Sequence, residues 1–210
     1  IKYIFEGHSF RAEGTVPKSW TYMDGKYIRA VHSKFGKKQI SSFPIMSIEK
    51  YAYYLLFRRI KHIRPLEYLS YTKEEAKDII SKELKWKDYG GHHHESGYTK
   101  FFQSFYLPTK FSIDKRKVSL SASILSGKIK RSEALKVVAK DYPYQKEDIN
   151  YVLKKLGISE DEFKKFLASP IKSYEDYDSY SELIKLLRYP LNLASKFGLV
   201  PKILYEKYSK

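Results

Sequence analysis

The 210-residue sequence predicts an α/β fold, a parallel sheet domain followed by a helical extension, and three observations carry that prediction. Apolar runs and helical stripes alternate as strand, helix, strand, helix as far as Leu84. A glycine-histidine turn follows the first strand directly, and the last third of the chain carries helical stripes alone.

The first element is Ile1 to Phe5, an apolar and aromatic run closed by Glu6-Gly7, as a buried strand is. Gly7-His8-Ser9 comes next, where ligand sites of open α/β sheets lie, although His8 could equally do no more than cap a turn. Pro17 to Phe43 has weak periodicity, with Gly25, Gly36 and scattered aromatics, and reads as a long, partly structured insertion, a kind of connection that is more often functional than idle. Ser47 caps a helix running to about Arg59, on the spacing of Ile48, Tyr51, Ala52, Leu55 and Leu56. Ile60 to Leu66 is the second strand, broken by Pro65, and Thr72-x-x-Glu75 is a capping box that opens the next helix. Strand, helix, strand in this order implies parallel pairing.

Trp86 to Arg116 mixes rare residue types without a simple helical or strand period. Gly90-Gly91 makes the backbone permissive, His92, His93, His94 and Glu95 supply titratable groups, and a basic and aromatic run ends in Asp114-Lys115-Arg116. Such a mixture reads as a site. The histidines admit a zinc reading, with His92 and His94 joined by Glu95 or His8. The favoured reading is a polar loop in which a histidine meets a phosphate or moves a proton, with no metal ligand assigned.

Beyond it lie helices over Ile129 to Ala139, where Lys130 is a poor N-cap that suggests a frayed or shifted start, and over Ile149 to Leu156, stopped by Gly157. Ser159-x-x-Glu162 caps another, with Ile158 and Phe163 as a staple, and a last helix runs from after Ser179 to before Pro190. Ser169 to Ser181, polar and rich in tyrosine, is the nearest thing to a linker. The expected domains are 1–145 and a helical extension over 146–210, the latter for packing or partner docking.

Composition narrows the function. With no cysteine, disulfides and thiolate chemistry are excluded. Apolar runs are too short for a bilayer and no signal peptide is seen, so a cytoplasmic location is the expectation. The formal charge of +16 asks for an anionic partner, and half of it lies between Lys100 and Lys140, where ten lysines and arginines face Asp114 and Glu133. Many of these are expected to be a solvated basic face.

The central motif also carries a resemblance. Trp86, Tyr89-Gly90-Gly91-His92-His93-His94-Glu95-Ser96, Thr99-Lys100-Phe101, Tyr106-Leu107-Pro108, Lys110-Phe111, Asp114-Lys115-Arg116, Ser126-Gly127 and Glu133-Ala134-Leu135 resemble the carboxyl-terminal half of bacterial N-acetyl sugar amidotransferases. These are ATP-pyrophosphatase (PP-loop) enzymes of surface-polysaccharide and modified-sialic-acid synthesis. Trp20, Tyr22, Met23 and Asp24 also match, and Arg64-Pro65-Leu66 resembles the Arg-Pro-Leu motif shared with tRNA lysidine synthetase.

The resemblance implies the carboxyl-terminal half of a PP-loop (adenine nucleotide alpha hydrolase-like) parallel sheet domain. It implies ATP and Mg2+, held through Gly7, His8, Arg64, Lys100, Lys115 and Arg116, with His92, His94 and Glu95 handling protons as ammonia attacks. Glu13, Trp20, Tyr89, Gly90, Gly91 and Thr99 would contact a nucleotide-activated N-acetyl sugar. A glutaminase and a cyclase-like channel subunit would supply ammonia. The Ser-Gly-Gly-x-Asp-Ser phosphate loop of such enzymes does not occur in these residues, so an amino-terminal half carrying it is the expected partner, and the chain alone is expected not to turn over. The sheet would then have an open edge. Charge and twenty tyrosines support a rival reading as an RNA-binding or tRNA-modifying PP-loop protein, and the missing loop a third, as a non-catalytic remnant or assembly subunit.

Overall fold

A computed structural model of the chain describes residues 1–20, 22–91 and 93–208, with Ala12, Ile203, Lys207 and Tyr208 described in backbone only. It is a helix-rich α/β structure. In chain order the elements are β1 (Tyr3–Phe5), α1 (Phe10–Glu13), α2 (Gly25–Phe35), α3 (Ile48–Ala52, continued by a π-helical turn Tyr53–Phe57), β2 (Lys61–Ile63) and α4 (Lys73–Leu84). There follow α5 (Gly97–Phe101), a π-helical turn Phe102–Tyr106, α6 (Leu107–Phe111), α7 (Arg116–Leu125), α8 (Arg131–Val138), α9 (Lys146–Leu156) and α10 (Glu160–Ala168). The chain closes with α11 (Ser181–Leu186), α12 (Arg188–Lys196) and α13 (Lys202–Tyr208).

Contacts divide the chain into two units. The first holds residues 1–6, 16–63 and 172–210, the second residues 7–15 and 64–171. The division falls at Ile171/Lys172, inside the stretch expected as a linker, and not at 145/146, because α9 and α10 share a core with Phe101.

In the first unit β1 and β2 pair in parallel, Tyr3 with Lys61 and Phe5 with Ile63, as the strand-helix-strand order implies. They form a two-stranded sheet, among the described residues. The second strand ends at Ile63, earlier than expected, because Arg64 turns the backbone and Pro65 opens a 3-10 turn over Pro65–Glu67. The insertion read as weakly periodic holds an eleven-residue helix, α2, capped by Asp24, which accepts the Tyr27 amide at 2.8 Å. Asp24 also accepts the Tyr180 amide at 2.8 Å and the Tyr22 hydroxyl. Tyr22 stacks on Tyr174 at 4.5 Å, and Tyr27 meets Tyr177 edge-on at 5.7 Å, so the tyrosine-rich linker is a packed strap on α2. Pro190 falls in the first turn of α12, where a missing N–H costs nothing, and Leu187 separates that helix from α11.

The second unit has a conventional core. Phe101, Val152, Leu153 and Phe163 are buried together, ringed by Phe102, Phe105, Tyr106, Ile149, Ile158 and Leu167. The run from Gly97 to Phe111, expected to be aperiodic, is helical throughout. Its aromatics stack one turn apart, Tyr98 on Phe102, Phe101 on Phe105 and Phe102 on Tyr106, at 5.6–6.0 Å. The π-helical turn brings in Pro108 with its missing N–H in the first turn of α6. Both capping boxes read from the sequence close: Thr72 with Glu75 and Ser159 with Glu162. The frayed start expected of α8 is absent, since Glu133 reaches back to the Lys130 amide at 3.1 Å.

No helix among the described residues is long and apolar enough to cross a membrane.

Candidate functional site

Two clusters in the second unit hold most of the expected site residues. The first is the turn leading into α1. His8 Nδ1 lies 2.9 Å from Glu13 Oε2, closing a loop of five residues that fixes both side chains. The Phe10 amide donates to Glu67 Oε1 at 2.6 Å, which ties this turn to the Arg64-Pro65-Leu66 segment. Ser9 is 1% exposed and its Oγ has no hydrogen-bond partner. Gly14 turns with φ +72 against α7, where a β-carbon would lie 2.7 Å from the Val118 carbonyl oxygen, so only glycine fits. Around Gly7 there is open space, and Arg64 is exposed. Gly7, His8 and Glu13 thus share one turn, which the Phe10–Glu67 hydrogen bond joins to the segment after Arg64.

The second cluster is built around Arg116. Asp114, two residues earlier, accepts from the Arg116 amide at 2.9 Å and from its guanidinium at 2.7 and 3.1 Å. The remaining donors reach the Val137, Lys140 and Asp141 carbonyls at 3.2, 2.8 and 3.4 Å, so one side chain satisfies the orphan carbonyls at the end of α8. The guanidinium carbon sits 4.7 Å from the Tyr142 ring centroid, a cation–π contact. Its hydrogen bonds to Asp114 hold the Arg116 pKa above the ordinary arginine value. Arg116, expected on phosphate, spends its donors on the protein itself.

His94 also neighbours Tyr142, with ring centroids 6.2 Å apart. Its ring covers Gly91, where a β-carbon would come within 2.3 Å of it, so the second glycine of the Gly-Gly pair is there to admit the imidazole. Nε2 is buried with no hydrogen-bond partner. Burial first, and the Lys100 charge second, hold the His94 pKa below the usual histidine value, so at neutral pH the ring is uncharged. Lys100 itself pairs with Asp148 of α9 at 2.7 Å. An uncharged imidazole beside a cation is equipped to accept a proton or a hydrogen bond.

Most of the other expected residues sit in local turns and caps. His93 Nδ1 lies 3.2 Å from Glu95 Oε1, both exposed, and His92 lies outside the described residues. Ser96 caps α5 through the Thr99 amide at 3.3 Å, leaving Thr99 half-buried. Gly90 donates to Asp88 at 3.0 Å, and exposed Tyr89 packs edge-on against Trp86. Lys115 precedes α7, and Trp20 belongs to the first unit, in a turn where its amide donates to the Pro17 carbonyl at 3.0 Å. Tyr142 and Asp148 went unread in the sequence: one is a tyrosine in the loop 141–145, the other an acidic residue in a helical first turn, and neither patterns with the histidines. Among the described residues no three histidine, aspartate or glutamate side chains gather as metal ligands.

The second cluster coincides with a recognisable segment. Residues 95–190 match the model of the family described as LPS biosynthesis protein WbpG-like, C-terminal domain. No curated protein and no solved structure matches the chain. The WbpG-like segment contains the Arg116 knot, the Lys100–Asp148 pair and the whole aromatic core.

Proposed function

We propose that this chain is the carboxyl-terminal part of a PP-loop amidotransferase of lipopolysaccharide biosynthesis, which converts the N-acetyl group of a nucleotide-activated sugar to an acetamidino group. The observation that carries the reading is the WbpG-like match over the segment holding Lys100, Asp114, Arg116 and Asp148.

In this chemistry the acetamido oxygen attacks the α-phosphorus of ATP and releases pyrophosphate. Ammonia then adds to the activated carbon, AMP leaves with the oxygen, and a proton must be taken from the nitrogen. His94, uncharged and with Nε2 unpartnered, suits that acceptance, and Glu95 stands next to it. Lys100 and the exposed Arg64 offer cations to phosphate, with His8 held by Glu13. Arg116 is a positioning residue: it fixes Tyr142, which in turn backs the His94 ring. Magnesium would ride mainly on the phosphates, its usual mode, with few protein ligands. An amino-terminal partner would bring the phosphate-loop amides, and a glutaminase with a channel subunit the ammonia.

The test is a strain lacking the gene. Loss of an acetamidino sugar from its lipopolysaccharide, with the acetamido sugar in its place, restored by the wild-type gene and by neither His94→Ala nor Lys100→Ala, is the expected result. Unchanged polysaccharide sugars in the deletion strain would remove the proposal.

A further inference from the structure

The stretch from Lys34 to Lys61, in the first unit, joins positive charge to exposed apolar side chains. It holds seven lysines and arginines against a single acid, Glu49. It also exposes large apolar side chains at high density: Phe43 at 64%, Met46 at 50%, Tyr53 at 48%, Leu56 at 43% and Phe57 at 79%. Neither α3 nor its π-helical continuation has a buried residue, although the helix is mostly apolar. Tyr53 and Phe57 stack at 6.0 Å and 23°, so the exposed rings form one continuous ridge. Arg59, with φ 50, ends the helix as the Ile60 amide returns to the Tyr54 carbonyl at 3.1 Å, which places Arg58 and Arg59 directly beside Phe57.

An apolar ridge of this size on a soluble surface marks something that covers it. Cations with one acid among them select an anionic partner. Leu56 and Met46 decide its class. Nucleic acid offers flat bases and phosphates, which reward aromatic rings and cations but give aliphatic side chains little. A lipid surface rewards all three: hydrocarbon for Leu56, Met46 and Phe57, the headgroup boundary for tyrosines with a polar tip, and phosphates for lysine and arginine.

We infer that residues 34–61 form a membrane-surface anchor, in which Tyr53, Leu56 and Phe57 enter the interfacial layer of an anionic bilayer while Lys50, Arg58, Arg59 and Lys61 engage lipid phosphates. The anchor lies along the bilayer without crossing it. It rests on this surface alone and stands whether or not the amidotransferase reading does.

The test is co-sedimentation of the chain with vesicles of phosphatidylcholine alone and of phosphatidylcholine with phosphatidylglycerol, beside the doubly substituted Leu56→Ser, Phe57→Ser protein. Both substituted side chains are at the surface, so helical circular dichroism should be unchanged. The expected result is binding to the anionic vesicles that falls about tenfold in the double variant, whose charge is unaltered. It should fall about fivefold for each of Arg58→Gln and Arg59→Gln. Phe57→Trp should gain blue-shifted emission on vesicle addition. Absence of vesicle binding overturns the inference, as does equal binding by wild type and double variant, which would be the general attraction of a +16 chain. Binding of single-stranded RNA that depends on Leu56 and Phe57, without vesicle binding, overturns it in favour of nucleic acid.

Discussion

The two units hold together by different means. In the second, phenylalanine, valine and leucine from α5, α9 and α10 make a dry cluster around Phe101. In the first, Tyr22 is the one hydrophobic residue that is fully buried among those described, and the packing is done by stacked tyrosines, lysines lying over their rings and one carboxylate. Lys18, for example, lies 5.7 and 5.5 Å above Tyr22 and Tyr174. A core of the first kind is non-directional and stands by itself; a tyrosine network depends on every hydroxyl finding its acceptor. The recognisable family segment lies mostly over the second unit.

The comparison breaks most sharply at Phe101. Phe101→Ala should cost about 3–5 kcal/mol by leaving a cavity beside the Phe105, Tyr106 and Phe163 rings and the buried Val152 and Leu153, seen as a lower denaturation midpoint of the helical signal. If it costs no more than Tyr22→Phe in the first unit, the contrast fails. Next is Arg116→Ala, which strands the Asp114 carboxylate and the carbonyls closing α8, at about 2–3 kcal/mol. Arg116→Lys should recover only part of this, because an ammonium cannot copy the planar fork.

Asp24→Ala removes a helix cap and the acceptor of two further hydrogen bonds, and should cost about 1–2 kcal/mol in equilibrium unfolding. Burial raises the Tyr22 pKa well above the usual tyrosine value, with the Asp24 hydrogen bond second, so the hydroxyl stays protonated and Asp24→Ala should lower its alkaline titration in absorbance.

The smallest effect sharpens the site. The folded-state pKa of His94 lies below 6.5, so as pH falls the unfolded chain takes up the proton first. Stability should therefore be independent of this group above pH 6.5 and decline below it, down through the folded-state value. His94→Gln should flatten that slope. Gly91→Ala should push the ring off its seat, and NMR titration should then show the His94 pKa moving back up; an unmoved value would mean that Gly91 does not set the environment of the ring.

Much of the fold was legible in local pattern. Parallel pairing of β1 with β2, both capping boxes and the stop at Gly157 each depend on residues close in sequence or on strand order. The helix over Gly97 to Phe111 was legible too, since Tyr98, Phe101, Phe102, Phe105 and Tyr106 recur at helical spacing, but Pro108 and the density of aromatics disguised it. Helix α2 was hidden because its partner surface, the tyrosine strap, comes from about 150 residues later, as the Asp24–Tyr180 hydrogen bond with its separation of 156 shows.

By itself the sequence determined the residue types at the site, their spacing, the helix ends and the charge that calls for an anionic partner. Those properties are local, or sum over the chain. Only the tertiary structure decided what each cation does. It turned Arg116 inward, because the α8 carbonyls and Asp114 come within reach of its fork; it set Tyr142 beside both Arg116 and His94; and it left His94 uncharged, because burial beside Lys100 makes the imidazolium costly. Which side chain is spent on the fold and which is left for a ligand depends on distances across the chain, and no local pattern encodes those.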